Sequence, residues 1–179
     1  MIVDHIVQIF ADQGDQEYLG EPVTMAQHML QSAYFADQAG EGEAVIIAAL
    51  LHDIGHFTGD QGSFTMADQH DRHHEDAGAA FLEAHFPPIV ADCARHHVAA
   101  KRYLCATEIT YFDRLSEASI HSLRLQGGPM TAAEVAAFDR EPNKDAILRV
   151  RTYDEAGKDP QLEVPGLTSY RAMLGRVAL

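Results

Sequence analysis

The chain has 179 residues, 46% of them hydrophobic and 22% charged, and its formal net charge is −14. These values are typical of one soluble domain that is large enough to bury a substantial core. The strong negative charge argues against nucleic acid or an anionic membrane as a partner, although a metal ion and a few basic side chains can still attract a small anion locally.

The chain begins with MIVDHIVQIF, which carries an early acidic residue and no basic segment, so we expect no secretory signal. No apolar stretch approaches the roughly 20 residues that cross a bilayer. The two cysteines, Cys93 and Cys105, give no disulfide framework, which favours a reducing cytoplasm. We therefore expect a cytoplasmic protein, either a monomer or a weak homodimer.

Helical patterns dominate the sequence, and neither an alternating strand pattern nor a glycine-rich phosphate loop is present. The predicted helices are 24–39 with Thr24 as N-cap, an almost wholly apolar 42–52, 73–85, 89–99, 107–122, 131–140 with a Thr131–Glu134 capping box, and 142–155. Pro and Gly break the chain beyond these helices. The sequence thus predicts an all-α bundle in a single domain over 1–179, with its core at about 18–156 and an irregular tail at 157–179.

The stretch LLHDIGH at 50–56 places His52 and Asp53 at the end of the apolar helix. A carboxylate beside an imidazole is costly in such a place unless something compensates it, and a metal cation is the usual compensation. The other predicted helices contain further candidate ligands, and the full set is His28, His52, Asp53, His74, His97 and Asp154. Imidazole and carboxylate ligands suit iron, manganese or zinc better than calcium or magnesium.

The order of these motifs resembles the HD-domain superfamily, a group of metal-dependent proteins with an all-α core. The minimal site of that superfamily, His…His-Asp…Asp, matches His28, His52, Asp53 and Asp154. The histidines that match His74 and His97 imply a second metal, with Asp53 bridging the two. Because most HD proteins are phosphohydrolases, the superfamily alone implies hydrolysis.

Longer segments resemble a smaller branch of the superfamily, the mixed-valent diiron oxygenases, and within it the glycine-forming 2-amino-1-hydroxyethylphosphonate dioxygenases. These segments are YLGE (18–21), LLHDIGH (50–56), HHVAAKRYLC (96–105), LSEASIHSLRLQGGPM (115–130) and RVRTYDEAGK (149–158). The resemblance implies two iron ions as an Fe(II)/Fe(III) pair and O2 as co-substrate. It also implies cleavage of the C–P bond of a hydroxylated aminoethylphosphonate, which gives glycine or glycine betaine plus phosphate.

The same resemblance assigns roles to residues around the metals. It implies that the phosphonate is bound by His56, Lys101, Ser119 and Arg151. Lys101 follows His97 by one helical turn, and Arg151 precedes Asp154 by three residues, so each is expected beside a metal ligand.

Near the N-terminus, the resemblance implies that Glu21 binds the cationic nitrogen and that Tyr18 occupies one iron until substrate displaces it. Whether this nitrogen is a primary amine or a trimethylammonium group is left open. An aromatic cage would suit the latter, with Tyr34, Phe57 or Phe64 as candidate rings.

Other choices also stay open in the sequence. His70 and His73 are alternates to His74, which is preferred because HEDAGA matches the superfamily's HExxGA pattern; His96 is the alternate to His97. The polar stretch 58–72 is expected to form a mobile loop near the site.

Two other functions are compatible with the same ligands. The first is an HD phosphohydrolase acting on a phosphomonoester or nucleotide, and the second is a non-catalytic HD module that binds a signalling ligand. Tyr18-x-x-Glu21 favours the oxygenase, because a carboxylate suits an aminophosphonate and would repel the additional phosphates of a nucleotide.

Overall fold

The computed structural model describes residues 1–18, 20–58 and 73–179, and within these ranges the chain forms helices and no strand. The helices are α1 (Ile2–Gln13), α2 (Met25–Gln38), α3 (Glu43–Leu51), α4 (Gly55–Thr58), α5 (His74–Glu83), α6 (Pro88–Thr107), α7 (Glu117–Leu125), α8 (Ala132–Phe138), α9 (Lys144–Ala156) and α10 (Leu167–Val177), with a 3₁₀ turn at Phe112–Arg114. The prediction of an all-α bundle is confirmed. None of the described helices is both long and apolar enough to span a membrane.

Helix α3 lies at the centre of the bundle. Its residues are buried without interruption from Val45 to Leu51. A helix that is apolar on all sides needs neighbours on all sides, and α2, α6, α9 and α10 surround it. Because α3 ends at Leu51, the next two residues, His52 and Asp53, lie in the middle of the protein, and both are buried.

Two helix starts follow the predicted capping chemistry. The Thr24 hydroxyl accepts a hydrogen bond from the Gln27 N–H, and the Gln27 side chain accepts from the Thr24 N–H. Thr131 and Glu134 make the same reciprocal pair at α8. These capping boxes satisfy N–H groups that a helix otherwise leaves without partners at its first turn, and at α2 the box sets the direction in which the chain enters from residues 20–23.

The predicted helix over 107–122 is wrong in its first half. Helix α6 does not stop near residue 99 but continues to Thr107, because no Gly or Pro interrupts the helical pattern after Pro88. The 3₁₀ turn follows, and α7 begins only after Ser116, whose hydroxyl accepts from the Ser119 N–H as a helix cap.

The tail is not irregular throughout, and the core extends beyond 18–156. Helix α10 packs against α3 and α1 and buries Tyr170 and Leu174, the latter completely. Helix α1, which the sequence analysis did not predict, contributes the fully buried Ile6. The helical spacing of Leu167, Tyr170 and Leu174 carries the signal for α10, but the flanking Pro and Gly residues obscure it.

Some predictions lie outside the described residues. These are the proposed mobile loop, apart from Thr58 at its start, and the alternates Phe64 and His70 within it.

Candidate metal centre

Six side chains from five segments meet beside the end of α3. They are His28 of α2, His52 and Asp53 directly after α3, His74 at the start of α5, His97 in the middle of α6, and Asp154 near the end of α9. In the part of the chain that is described, their ligand atoms form two groups, each within 4.8 Å: His28, His52 and Asp154, and Asp53, His74 and His97. The structure thus brings together the whole set of predicted ligands.

Asp53 lies between the two groups and faces both. Its Oδ2 is 3.4 Å from Nε2 of both His28 and His52. Its Oδ1 is 3.3 Å from His74 Nε2 and 3.2 Å from His97 Nε2. This is the arrangement expected of a carboxylate that bridges two metal ions through its separate oxygens.

Backbone carbonyls orient the imidazoles toward the centre. Three histidines donate their Nδ1 hydrogen to a carbonyl oxygen: His28 to Gly157 (2.8 Å), His52 to Ala49 (2.8 Å) and His97 to Ala94 (2.7 Å). In a neutral imidazole so bonded, Nε2 carries a lone pair, as metal-binding histidines require.

The lone pairs of His28 and His52 face each other, with their Nε2 atoms 3.1 Å apart. Because both Nδ1 atoms already carry the hydrogen, only a positive charge, a proton or a metal ion, makes this approach favourable. His74 Nε2 lies 3.0 Å from the Nε2 lone pair of His97. Burial by itself would lower the pKa of His52, but Asp53 and Asp154 outweigh it and raise that pKa to about 9.

The carboxylates show the same need for a cation. Asp53 Oδ1 and Asp154 Oδ1 are buried and accept no hydrogen bond from the described residues. A buried carboxylate oxygen without a partner is strongly unfavourable. Since the donor set is imidazole nitrogen and carboxylate oxygen, the residues fit two ions of the iron, manganese or zinc type.

Two glycines allow the ligand segments to approach closely. A Cβ atom on Gly55 would lie 1.9 Å from the His74 carbonyl oxygen and 2.6 Å from the Gly78 nitrogen. A Cβ atom on Gly157 would lie 2.7 Å from Ser32 Oγ and 2.9 Å from the His28 carbonyl oxygen. The missing Cβ atom of Gly55 therefore lets the backbone at His74 approach, and that of Gly157 does the same for the backbone at His28.

An open cavity of about 590 Å³, including solvent at its mouth, lies over these groups. The cavity is lined by all the residues for which the sequence analysis expected a substrate-binding or iron-covering role, and these are Tyr18, Glu21, His56, Lys101, Ser119 and Arg151. Neither Phe57, which packs on Phe10, nor Tyr34, which packs on Phe35, lines it.

Two buried cations stand at one side of the cavity. Arg151 donates from Nε to the Tyr111 hydroxyl (2.8 Å) and from its two terminal nitrogens to Asp154 and Glu155, so it also holds a candidate ligand. Lys101 donates to Ser122 Oγ (2.7 Å). Burial, with the charge of Arg151 acting in the same direction, lowers the pKa of Lys101 to about 7.

Tyr18 and His56 each stack on one candidate ligand, Tyr18 in the first group and His56 in the second. The Tyr18 ring stacks on His28 with centroids 3.8 Å apart, and burial and then Asp53 raise the pKa of its hydroxyl well above the usual value. The His56 ring stacks on His74 at 4.0 Å. Its buried Nε2 makes no hydrogen bond within the described part of the chain, and burial followed by His74 lowers the pKa of His56 well below its ordinary value.

Sequence reasoning missed several polar residues of the cavity. Lys158, Ser122 and Gln126 line it, and Glu155 bonds Arg151 at its edge. Ser122 lies one turn after Ser119 on α7, so helical spacing could have found it. Lys158 follows the end of α9 at Gly157, where helical spacing no longer applies.

An all-helical core that gathers a His…His-Asp…Asp set defines the HD class of metal-binding domain. The family model described as HD domain matches residues 25–141, and the chain belongs to this family. It is 58% identical to [1-hydroxy-2-(trimethylamino)ethyl]phosphonate dioxygenase (glycine-betaine-forming) of Leisingera caerulea, over 98% of this chain and 90% of the relative. It is 39% identical to hydroxymethylphosphonate dioxygenase of Gimesia maris, over 94% of this chain and 84% of the relative. It is 32% identical to an uncharacterized protein of Acanthamoeba polyphaga mimivirus, over 96% of this chain and 80% of the relative.

Proposed function

We propose that this chain is a dioxygenase that converts [1-hydroxy-2-(trimethylamino)ethyl]phosphonate and O2 to glycine betaine and phosphate. The observation that carries the proposal is one cavity whose lining combines two candidate metal-ligand groups with charged side chains of both signs, the cations Lys101 and Arg151 and the carboxylate of Glu21. A zwitterion with an anionic phosphonate and a cationic nitrogen matches that arrangement. The 58% identity to the glycine-betaine-forming dioxygenase supports the choice of the trimethylated substrate over the primary amine.

The overall reaction is balanced by O2 alone. The C–H and C–P bonds at the hydroxylated carbon are broken, and that carbon becomes a carboxylate. The carboxylate and phosphate together hold two more oxygen atoms than the substrate, which are those of O2. No further reductant is needed.

We assign two iron ions, as an Fe(II)/Fe(III) pair, to the two ligand groups, with Asp53 between them. When bound, the irons supply the redox chemistry with O2, and the protein supplies positions and charges. The support for this assignment is the donor set and the two faces of Asp53.

The remaining roles follow from charge and position in the cavity. Lys101, Ser119 and Arg151 bind the phosphonate, for which charge-assisted hydrogen bonds are the strong kind. His56 is kept neutral by burial, so it donates or accepts one hydrogen bond at the phosphonate without adding charge. Glu21 pairs with the quaternary nitrogen, and Tyr18, whose ring stacks on His28, would cover the metal held by the His28 group until substrate binds.

Lys101→Met should raise stability while it weakens substrate binding. The folded-state pKa of Lys101, about 7, is below its ordinary value of 10.5, so folding disfavours the charged form. The resulting loss of stability is full below pH 7, shrinks as the pH rises from 7 to 10.5, and disappears above that. At pH 7 we expect the unfolding midpoint of Lys101→Met to rise by about 3 °C or more, and KM for the phosphonate to rise at least about 10-fold.

Differential scanning fluorimetry at pH 7 and pH 10, with oxygen-uptake kinetics at pH 7, measures both effects. Lys144→Met is the matched control, because Lys144 is a half-buried lysine outside the cavity that pairs with Asp139 on α8's C-terminal side. If Lys101→Met lowered the midpoint, or left KM unchanged, the assignment of Lys101 would be wrong.

The proposed function is tested by oxygen consumption of iron-loaded, partly reduced protein, with phosphate assayed in parallel. We expect oxygen uptake matched by phosphate release with [1-hydroxy-2-(trimethylamino)ethyl]phosphonate, loss of both on iron chelation, and a mixed-valence EPR signal. Uptake with 2-amino-1-hydroxyethylphosphonate instead would keep the oxygenase and change the substrate. Phosphate release from phosphomonoesters without O2 would establish the hydrolase instead.

A further inference from the structure

An ion pair between Lys158 and Glu21 stands where the proposed function places the nitrogen of the substrate. The Lys158 ammonium lies 3.3 Å from Glu21 Oε1, and the two side chains are only 10% and 9% exposed. Glu21 precedes α2, whereas Lys158 follows α9. The fold therefore brings together two charges from nearly opposite ends of the sequence.

The ammonium of Lys158 has three acceptors within reach. Besides Glu21, it donates to Ser119 Oγ (2.8 Å) and Glu155 Oε1 (2.9 Å). Of the three N–H donors of a lysine ammonium, two make these hydrogen bonds, and the contact with Glu21 is an ion pair. Glu21 Oε1 also accepts from the Ser116 hydroxyl. A cation of the protein thus already neutralises the carboxylate that would bind the cation of the substrate.

A zwitterion supplies what is needed to release this pair. Its quaternary nitrogen replaces the positive charge beside Glu21. Its phosphonate lies beside Ser119, which is already a partner of Lys158. Since the lysine side chain is flexible and its three donors rotate, Lys158 needs only a short movement to exchange a carboxylate for a phosphonate oxygen.

We propose that Lys158 exchanges Glu21 for the phosphonate when a substrate with both charges binds, and that this exchange makes the cavity selective for zwitterions. The inference rests on the proposed function. A phosphonate without a cation faces one of two costs. It either draws Lys158 away and leaves a buried carboxylate unpaired, which is strongly unfavourable, or it leaves the ion pair intact and loses one charged donor.

The test compares two ligands by calorimetry on iron-loaded protein without oxygen. The ligands are [1-hydroxy-2-(trimethylamino)ethyl]phosphonate and hydroxymethylphosphonate, which has no nitrogen. The measured quantity is the zwitterion preference, defined as Kd of hydroxymethylphosphonate divided by Kd of the zwitterion. Lys144→Met is the control and should leave both constants unchanged.

In Lys158→Met, the zwitterion should lose about 10-fold in affinity, because it loses one charge-assisted hydrogen bond. Hydroxymethylphosphonate should lose about 100-fold, because it then meets an unneutralised Glu21 carboxylate. The zwitterion preference therefore rises about 10-fold. In Glu21→Gln, Lys158 is free for either phosphonate while the cation loses its partner, so the preference falls by about 10-fold or more.

The outcomes separate this inference from the proposed function. Equal losses for both ligands in Lys158→Met indicate a structural lysine and overturn the inference alone. If Lys158→Met does not fold, the test relies on Glu21→Gln. An unchanged zwitterion preference in Glu21→Gln also overturns the inference. A wild-type protein that binds neither phosphonate overturns the proposed function and the inference with it.

Discussion

The Asp53→Asn variant is expected to bind one metal ion per chain where the wild type binds two, and to lose oxygen uptake with the phosphonate. Loss of an outer partner of a metal ligand already costs about 10- to 100-fold in affinity or activity, so loss of this carboxylate should exceed about 100-fold. The change is nearly isosteric, and we expect the chain to remain folded.

The geometry of Asp53 explains why we expect one substitution to affect both proposed metal sites. Its two oxygens face different histidine pairs, at 3.4 Å on one side and at 3.2 and 3.3 Å on the other. Asparagine keeps one acceptor oxygen, removes the negative charge and places an NH2 group, which cannot bind a metal, at the other position. The group with Asp154 keeps a carboxylate, whereas the group of His74 and His97 loses its carboxylate.

Iron content per chain, measured beside oxygen uptake, checks this expectation, with a urea unfolding curve to verify the fold. Asp12→Asn, an exposed aspartate of α1, is the matched control. Two bound ions together with near-normal turnover in Asp53→Asn would show that Asp53 does not bridge.

Gly55→Ala should lose activity by about 100-fold or more, although Gly55 belongs to neither ligand group and does not line the cavity. The added Cβ would lie 1.9 Å from the His74 carbonyl oxygen and 2.6 Å from the Gly78 nitrogen. Both are backbone atoms, so no change of rotamer relieves the clash and α5 must move away. His74 then leaves Asp53 Oδ1, from which it lies 3.3 Å, and a misplacement of about 1 Å in an active site can cost about 100-fold.

The same clash should lower the free energy of unfolding by about 1–3 kcal/mol, as is usual for overpacked cores. Gly42→Ala is the matched control, because a Cβ at Gly42 meets no heavy atom within 4 Å. Denaturant unfolding, iron content and oxygen uptake are measured on both variants. If Gly55→Ala kept full iron content and activity, the close approach of α4 and α5 would not be what positions His74.

Much of the centre was predictable because its residues lie within helical patterns or at the ends of helices. The apolar run that becomes α3 makes a His-Asp pair at its end conspicuous, and Thr24 marks the start of the helix that carries His28. The choice of His74 over its neighbours depended on the HExxGA pattern and not on periodicity. The roles assigned to these residues remain predictions.

The residues that escaped prediction are those placed by tertiary contacts. Lys158 follows a helix end, and nothing in its neighbourhood indicates that its ammonium meets Glu21, more than a hundred residues earlier. Helix α10 was missed because Pro165 and Gly166 precede a short amphipathic segment, which is stable only when Leu174 packs against α3. Local sequence carries little information about either contact.

The hydrogen bond from His28 to the Gly157 carbonyl can form only late in the synthesis of the chain. Its partners are 129 residues apart, and a ribosome adds about 5–20 residues per second, so roughly 6 to 26 s separate their appearance. During that interval His28 lacks the carbonyl that orients it, whereas the carbonyl partner of His52, Ala49, has already been synthesised. The group of His28, His52 and Asp154 can be complete only after Asp154 has been synthesised, so we expect a metal ion to enter that group late.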